Sequence, residues 1–311
     1  MAGRAQDLTT GDEVEGYRVE DLIGWGSSSR VYRVRKREDG SIWALKIIAG
    51  EGTSEDRFRL EGAVQEVLEH PNLVRVVEVI RLGSTPALVM EYIDGPSLKG
   101  WLEGHIPTPV LALDLMHGIA SGVAHIHNAG LVHRDVKPAN VMLQSGPEGR
   151  LTPRVTDFGL AKMDGAFFAG STLVGTSMGT PEYAAPEQEL DASTVDGRAD
   201  VYALGCLFYE LMCGRGPFEG LDAYRLPAAK RDETYAPPST IVYEIADELE
   251  KLIVRMMVPD VENRVQSVAE VLRVLDGLRG TPDSAPLGRL VALMATPLIV
   301  LLVAALVVTQ C

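Results

Sequence analysis

Apolar and polar positions change their spacing along this chain, and each change marks a different kind of element. From Tyr17 to Ile48 they alternate: Tyr17, Val19 and Leu22-Ile23 precede a turn, Val31 and Val34 follow it, and Trp43-Ala44-Leu45-Lys46-Ile47-Ile48 lies beyond a turn at Gly40. That alternation predicts three antiparallel strands. Ser54 to Glu69 has few breakers and a Thr53 or Ser54 cap, which predicts a helix. Two further strands are expected around Leu73 to Arg81 and Ala87 to Met90, with Glu91-Tyr92-Ile93-Asp94-Gly95 as a connector that leaves the sheet. Beyond Ser97 the spacing becomes helical, and Leu111, Leu115, Ile119, Val123 and Ile126 place one long helix over Val110 to His127. Val141-Met142-Leu143 and Arg154-Val155 read as short strands, and Asp200 opens an apolar helix from Val201 to Met212. A strand-rich first part followed by a helical remainder is an α+β pattern.

Polar residues gather where these elements meet. His133-Arg134-Asp135-Val136-Lys137-Pro138-Ala139-Asn140 sits between the long helix and a strand, and Pro138 stops the helix from continuing. Asp135 can take a proton from a hydroxyl, Lys137 can offset charge on a phosphate, and Asn140 can offer an oxygen to magnesium. Gly24-Trp25-Gly26-Ser27-Ser28-Ser29-Arg30-Val31 is a turn of small residues that lets backbone N–H groups approach phosphates, although such a turn is also an ordinary hairpin. Lys46 lies in an otherwise apolar strand, where an unpaired ammonium is expensive to bury, so it needs an anionic partner. Glu61 and Glu66 are the candidates; on a helix they stand about 140° apart, so only one can face the sheet. Thr156-Asp157-Phe158-Gly159 follows a short strand, and Leu160 to Gly179 carries spaced glycines with the hydroxyls of Ser171, Thr172, Thr176 and Ser177.

In this order the stretches resemble the protein kinase family: a glycine-rich loop with Ser29 in place of the third glycine, Trp-Ala-Leu-Lys at Lys46, His-Arg-Asp at the catalytic loop with Val136 in place of leucine, Asp-Phe-Gly, and Ala-Pro-Glu at Ala185 to Glu187. The resemblance runs from about Tyr17 to Leu275 and is closest to bacterial eukaryotic-like serine/threonine protein kinases. It implies a two-lobed fold, with a small antiparallel sheet lobe carrying one main helix and a large mainly helical lobe. It implies catalysis by Asp135, Lys137, Lys46 and Glu61, the last chosen over Glu66 because Arg57-Phe58 precedes it and His70-Pro71-Asn72 follows; Glu66 is then a solvated surface charge. ATP would lie against Ile23, Gly24, Gly26, Ser27, Ser28, Ser29, Val31, Ala44, Lys46, Met90, Glu91 and Ile93, with Mg²⁺, or Mn²⁺ in its place, on Asn140 and Asp157. Arg134, Thr180, Glu187, Asp200 and Arg264 are implied supports: Arg134 for a phosphate on the segment holding Ser171, Thr172, Thr176 and Ser177, Asp200 as a brace below the catalytic loop, Arg264 as partner of Glu187. Lys137 and Thr180 point to serine/threonine rather than tyrosine acceptors.

Composition narrows this picture. The formal net charge of −14 speaks against a nucleic-acid partner, and Cys206, Cys213 and Cys311 lack metal-ligand spacing and read as reduced thiols. Leu290 to Val308 carries no charge and, as a helix, would span about 28 Å, close to a bilayer's hydrocarbon thickness. With Arg279 and Arg289 on its N-terminal side, the expectation is a single-pass cell-membrane anchor contacting lipid, with the kinase domain in the cytoplasm. The expected division is a leader at 1–16, small lobe 17–91, large lobe 92–276, linker 277–289, membrane helix 290–308 and tail 309–311. Protein substrates with Ser/Thr acceptors and a homodimer for trans-autophosphorylation complete the expectation; the alternative is a pseudokinase scaffold that binds nucleotide without efficient transfer.

Overall fold

The computed structural model describes residues 7–26, 29–48, 66–83, 85–158, 181–190 and 195–279. Six strands form one antiparallel sheet: β1 (Glu13–Val14), β2 (Tyr17–Trp25), β3 (Ser29–Lys36), β4 (Ile42–Ile48), β5 (Val76–Leu82) and β6 (Thr85–Glu91), in the order β1-β2-β3-β4-β6-β5. The predicted alternation is the reason the sheet has two different faces. Tyr17, Val19, Tyr32, Val34, Leu45, Ile47, Ala87 and Val89 pack into one cluster, while Ala44, Val76, Leu88 and Met90 pack into another with Val74 and Ile93. Lys46 shares the parity of Ala44, so its side chain belongs to the second face. β1 lies within the stretch expected to be a leader: Val14 pairs with Tyr17, and the Leu8 amide donates to the Tyr32 hydroxyl at 3.1 Å.

The large lobe is built on α2 (Pro109–Asn128), whose N-cap Thr108 accepts a hydrogen bond from the Leu111 amide. Short α1 (Leu98–Leu102) precedes it, and the hairpin β7 (Val141–Ser145) with β8 (Leu151–Val155) follows it. Then come α3 (Pro186–Leu190), α4 (Gly197–Cys213), α5 (Leu226–Arg231), α6 (Asp247–Met256) and α7 (Val268–Arg279). Leu115, Met116, Ile119, Ala120, Val123 and Ile126 of α2 are fully buried in one core with Tyr202, Leu204 and Phe208 of α4 and Leu252, Ile253 and Leu275 of the last two helices. Each such aliphatic side chain contributes about 1.5–3 kcal/mol by leaving water. α2 is long and apolar enough to cross a bilayer, but it is the core helix of this lobe.

The turn His70-Pro71-Asn72 fastens the two lobes. The Val155 amide donates to the Asn72 carbonyl and the Val74 amide to the Val155 carbonyl, both at 2.8 Å, while Asn72 Nδ2 donates to the Pro153 carbonyl at 2.9 Å. α2 approaches this turn so closely that a Cβ at Gly122 would lie 2.8 Å from the Asn72 carbonyl oxygen. Only glycine fits there. The helix expected over Ser54 to Glu69 and the span at 290–308 lie outside the described residues, apart from the last residues of the former.

Candidate active site

Asp200 organises the loop that carries the chemistry. The helix it was expected to open begins earlier: Asp196 is the N-cap of α4, accepting from the Arg198 amide, and Asp200 lies inside the first turn. Two aspartates four residues apart both satisfy a capping pattern, and burial distinguishes them. Asp200 is 1% exposed. Its Oδ2 accepts from the His133 amide and hydrogen-bonds His127 Nε2, both at 2.7 Å, and its Oδ1 accepts from the Arg134 amide at 2.7 Å. Arg134 sits at φ 66°, a conformation that costs a non-glycine residue about 1–3 kcal/mol and persists where its surroundings hold it. The carboxylate of Asp200 is that hold. Nη2 of Arg134 donates to the Val195 carbonyl at 3.3 Å.

Above this brace, Asp135, Lys137 and Asn140 converge. Asp135 Oδ2 accepts from Lys137 Nζ at 2.9 Å and from Asn140 Nδ2 at 3.0 Å, and Asn140 Nδ2 also donates to the Asp135 carbonyl at 2.8 Å. Pro138–Asn140 is a single 3-10 turn, which folds Asn140 back onto the aspartate. The Asp135 side chain keeps 31% of its surface exposed, so an incoming hydroxyl can reach it. Asn140 spends its nitrogen on Asp135, and its oxygen is the atom chemically suited to face a metal. The Thr156 amide donates to the Asn140 carbonyl at 2.9 Å and so sets Asp157 beside this turn.

Asp157 sits at φ 67°, and its Oδ1 lies 2.7 Å from Lys46 Nζ. Burial pushes the Asp157 carboxyl up, but the ammonium of Lys46 outweighs it and holds the group below the usual carboxylate range. It is therefore ionised at neutral pH. Hard oxygen donors at Asn140 and Asp157 suit Mg²⁺, which takes its remaining ligands from phosphate and water. Among the described residues no group of three His, Cys, Asp or Glu forms a self-sufficient metal cage. Beside Asp157, Phe158 is buried with its ring 6.2 Å from that of His133.

The cleft above these groups is lined by the second face of the sheet. Val31 and Met142 pack against the cluster of Ala44, Met90 and Ile93. Gly24 pairs with Val31, and the Gly26 amide donates to the Ser29 carbonyl at 2.9 Å; Ser27 and Ser28 lie outside the described residues. Ile23 is more exposed, at 42%. Glu91 ends β6 and forms an ion pair with Arg154. Met142 went unassigned in the sequence, although buried Val141 and Leu143 on either side imply that it faces the other way.

Glu187 and Arg264 meet as expected, through Nη1 to Oε1 at 2.6 Å and Nη2 to Oε2 at 2.9 Å. Arg264 is 1% exposed and stacks over the Tyr202 ring, 5.1 Å from its centroid. Glu66 is not a solvated charge: its Oε1 accepts from the Val79 amide at 2.9 Å. β5 is an edge strand, and its outward amides need acceptors that no neighbouring strand supplies. Glu61, Gly159, Thr180 and the hydroxyls of Ser171, Thr172, Thr176 and Ser177 lie outside the described residues. His127, Gln188 and Lys230 carry contacts that no sequence motif announced. The thiols of Cys206 and Cys213 are both free; burial pushes Cys206 up to about 12, which makes it an unreactive core residue.

A two-lobed fold with an acid, two cations and two oxygen ligands at the junction defines the class. Residues 17–274 match the protein kinase domain, and the chain belongs to that family. It is 36% identical over 290 residues to the serine/threonine-protein kinase PkaA of Streptomyces coelicolor, covering 88% of this chain and 52% of that protein. It is 34% identical over 274 residues to the serine/threonine-protein kinase Pkn1 of Myxococcus xanthus, covering 85% and 38%. The PknI kinase domain of Mycobacterium tuberculosis superposes with a TM-score of 0.66 at 25% identity, covering 87% of this chain and 99% of that one. The resemblance to bacterial eukaryotic-like serine/threonine kinases is thus borne out. The chain spans about half the length, or less, of the curated relatives it matches.

Proposed function

We propose that this chain transfers the γ-phosphoryl group of ATP to serine and threonine hydroxyls of proteins. The observation that carries the reading is the Asp135 carboxylate, accessible from the cleft while one oxygen is gripped by Lys137 and Asn140. In that grip Asp135 orients an acceptor hydroxyl and takes its proton, and Lys137 offsets the charge on the moving phosphoryl. Lys46 and Asp157 neutralise one another across the cleft; a magnesium nucleotide offers each of them the opposite charge, phosphate to Lys46 and metal to Asp157. Glu61 is assigned to steady Lys46. Asn140 and Asp157 would hold Mg²⁺, which would supply positive charge to offset that of the phosphate oxygens. Val31, Ala44, Met90 and Met142 supply apolar walls for adenine, with the backbone of Glu91 and Ile93 at its edge.

Autophosphorylation belongs to this reading, because Arg134 lies beside Asp135 and residues 160–179 hold Ser171, Thr172, Thr176 and Ser177. Thr172 and Thr176 are the favoured acceptors, in trans within a homodimer. Incubating the full chain with ATP and Mg²⁺, then mapping phosphate by mass spectrometry, tests both parts. The expected result is Mg²⁺-dependent phosphate on protein hydroxyls, including at least one between Leu160 and Gly179. An active enzyme without phosphate in that interval excludes the autophosphorylation mechanism, and no transfer to any protein excludes the kinase reading.

We further propose a membrane anchor at Leu290 to Val308. Support comes from its charge-free composition and from its position beyond α7, which closes the large lobe at Arg279. α7 continues through Arg279, three residues into the stretch expected to be linker, and Arg279 pairs with Asp114 at 2.8 Å, fastening the end of α7 to α2. On fractionation the full chain is expected to pellet with membranes and resist carbonate extraction. A full chain that stays soluble without detergent overturns the anchor.

A further inference from the structure

Lys230 is 0% exposed, a lysine closed off entirely from water on α5. An ammonium there is costly unless its three N–H groups all find acceptors. They do: Nζ donates to the Pro181 carbonyl at 2.6 Å, the Ala184 carbonyl at 2.8 Å and Glu189 Oε1 at 2.7 Å. An apolar side chain would fill the same volume without a desolvation cost. What the cation adds is direction, since it holds two carbonyls and a carboxylate of residues 181–189 at one point.

The same short segment is held twice more. Of three successive residues on α3, Glu187 binds Arg264, Glu189 binds Lys230, and Gln188 points to the catalytic loop. Gln188 is 3% exposed; its Nε2 donates to the Arg134 carbonyl at 3.0 Å, and its Oε1 accepts from the Ala185 amide at 2.9 Å. The Arg134 carbonyl belongs to the peptide that joins Arg134 to Asp135. One hydrogen bond therefore connects the segment to the residue before the base, and Lys230 fixes the segment from the other side. Its outer edge, at Pro181 and Glu182, stays open to solvent or half-buried.

We propose that Lys230 is a positioning residue for the protein acceptor: acting with Gln188, it sets the 181–184 edge, along which an extended Ser/Thr-containing polypeptide lies, in register with Asp135. The inference rests on the kinase reading for its substrate and on the hydrogen-bond geometry for its mechanism. All three N–H groups of Lys230 are spent on residues 181–189 and none on Lys46, Asp135 or Asp157, so its effect belongs to the acceptor.

The test uses the full chain, its K230M variant, the double variant K230M/E189Q, ATP with Mg²⁺, and a synthetic peptide of residues 165–180 as acceptor. With active sites titrated, K230M is expected to raise the KM for peptide by about tenfold or more while the KM for ATP moves less than about twofold. In K230M/E189Q, which no longer strands a carboxylate, the thermal midpoint recovers but the peptide KM does not. A loss of kcat that follows the active fraction at unchanged peptide KM shows a purely structural lysine and overturns the proposal. So does a peptide KM that recovers together with the midpoint. If the unmodified chain phosphorylates no acceptor, the kinase reading fails separately, and hydrogen exchange then judges the clamp. Amides of residues 182–190 are expected to exchange faster in K230M while those of α4 do not, and unchanged exchange overturns it.

Discussion

Asp135→Asn is expected to lower phosphoryl transfer by about 10²–10⁴-fold, the range that a positioned general base supplies. Asparagine is nearly the same shape and keeps an oxygen for Lys137 and Asn140 to donate to, so the loop should hold its course. What disappears is the basic oxygen that accepts the hydroxyl proton and orients it. The change should therefore appear in kcat, with nucleotide affinity and thermal midpoint close to those of the unmodified chain. Normal turnover in this variant would remove Asp135 from the chemistry.

Asp200→Ala is the largest expected loss of stability, about 3–5 kcal/mol, in the range measured when one partner of a buried charged network is deleted. Three donors depend on this carboxylate, and two of them are the amides of His133 and Arg134, which no other group in the described residues replaces. The strained backbone at Arg134 loses its hold at the same time. The expected result is a lower urea midpoint together with loss of transfer, because the base is carried on the loop that comes free. His127→Ala, which removes only one of the three donors, should cost about 0.5–2 kcal/mol, mainly the net worth of a single hydrogen bond. An Asp200 variant as stable as the His127 variant would show that the amides are not held from below.

Much of the architecture was legible because it follows from local periodicity. The alternation over Tyr17 to Ile48 became β2, β3 and β4, and the helical spacing after Ser97 became α2 with bounds one residue wider at each end. Boundaries were less legible where polar signals compete. Asp196 and Asp200 offer similar caps, and only the packing of α4 beneath the loop shows that one caps and the other braces. β1 escaped notice since two residues have no period, and its pairing depends on Tyr17 and Arg18 across a tight turn. Glu66 was misread as a solvated charge because its acceptor role is created by the edge of β5, which sequence does not display.

The candidate site divides in the same way. The sequence by itself showed which residues can bear chemistry: His133 to Asn140 holds an acid, a cation and a carboxamide within eight residues, and it was the resemblance to the protein kinase family that added Asp157 as a metal ligand. The sequence also determined that Lys46 needs an anion, since its strand is apolar on both sides. Only the tertiary structure decided that the anion in the described residues is Asp157, that Met142 completes the apolar wall, and that His127 shares the carboxylate of Asp200. Lys230 is the clearest case: in sequence it is a lysine at the end of a short amphipathic helix, where such residues are ordinarily exposed. Its three acceptors lie 41 to 49 residues away. Hydrogen bonds across that separation exist only once the hydrophobic core has brought the helices together, so no local pattern can encode them.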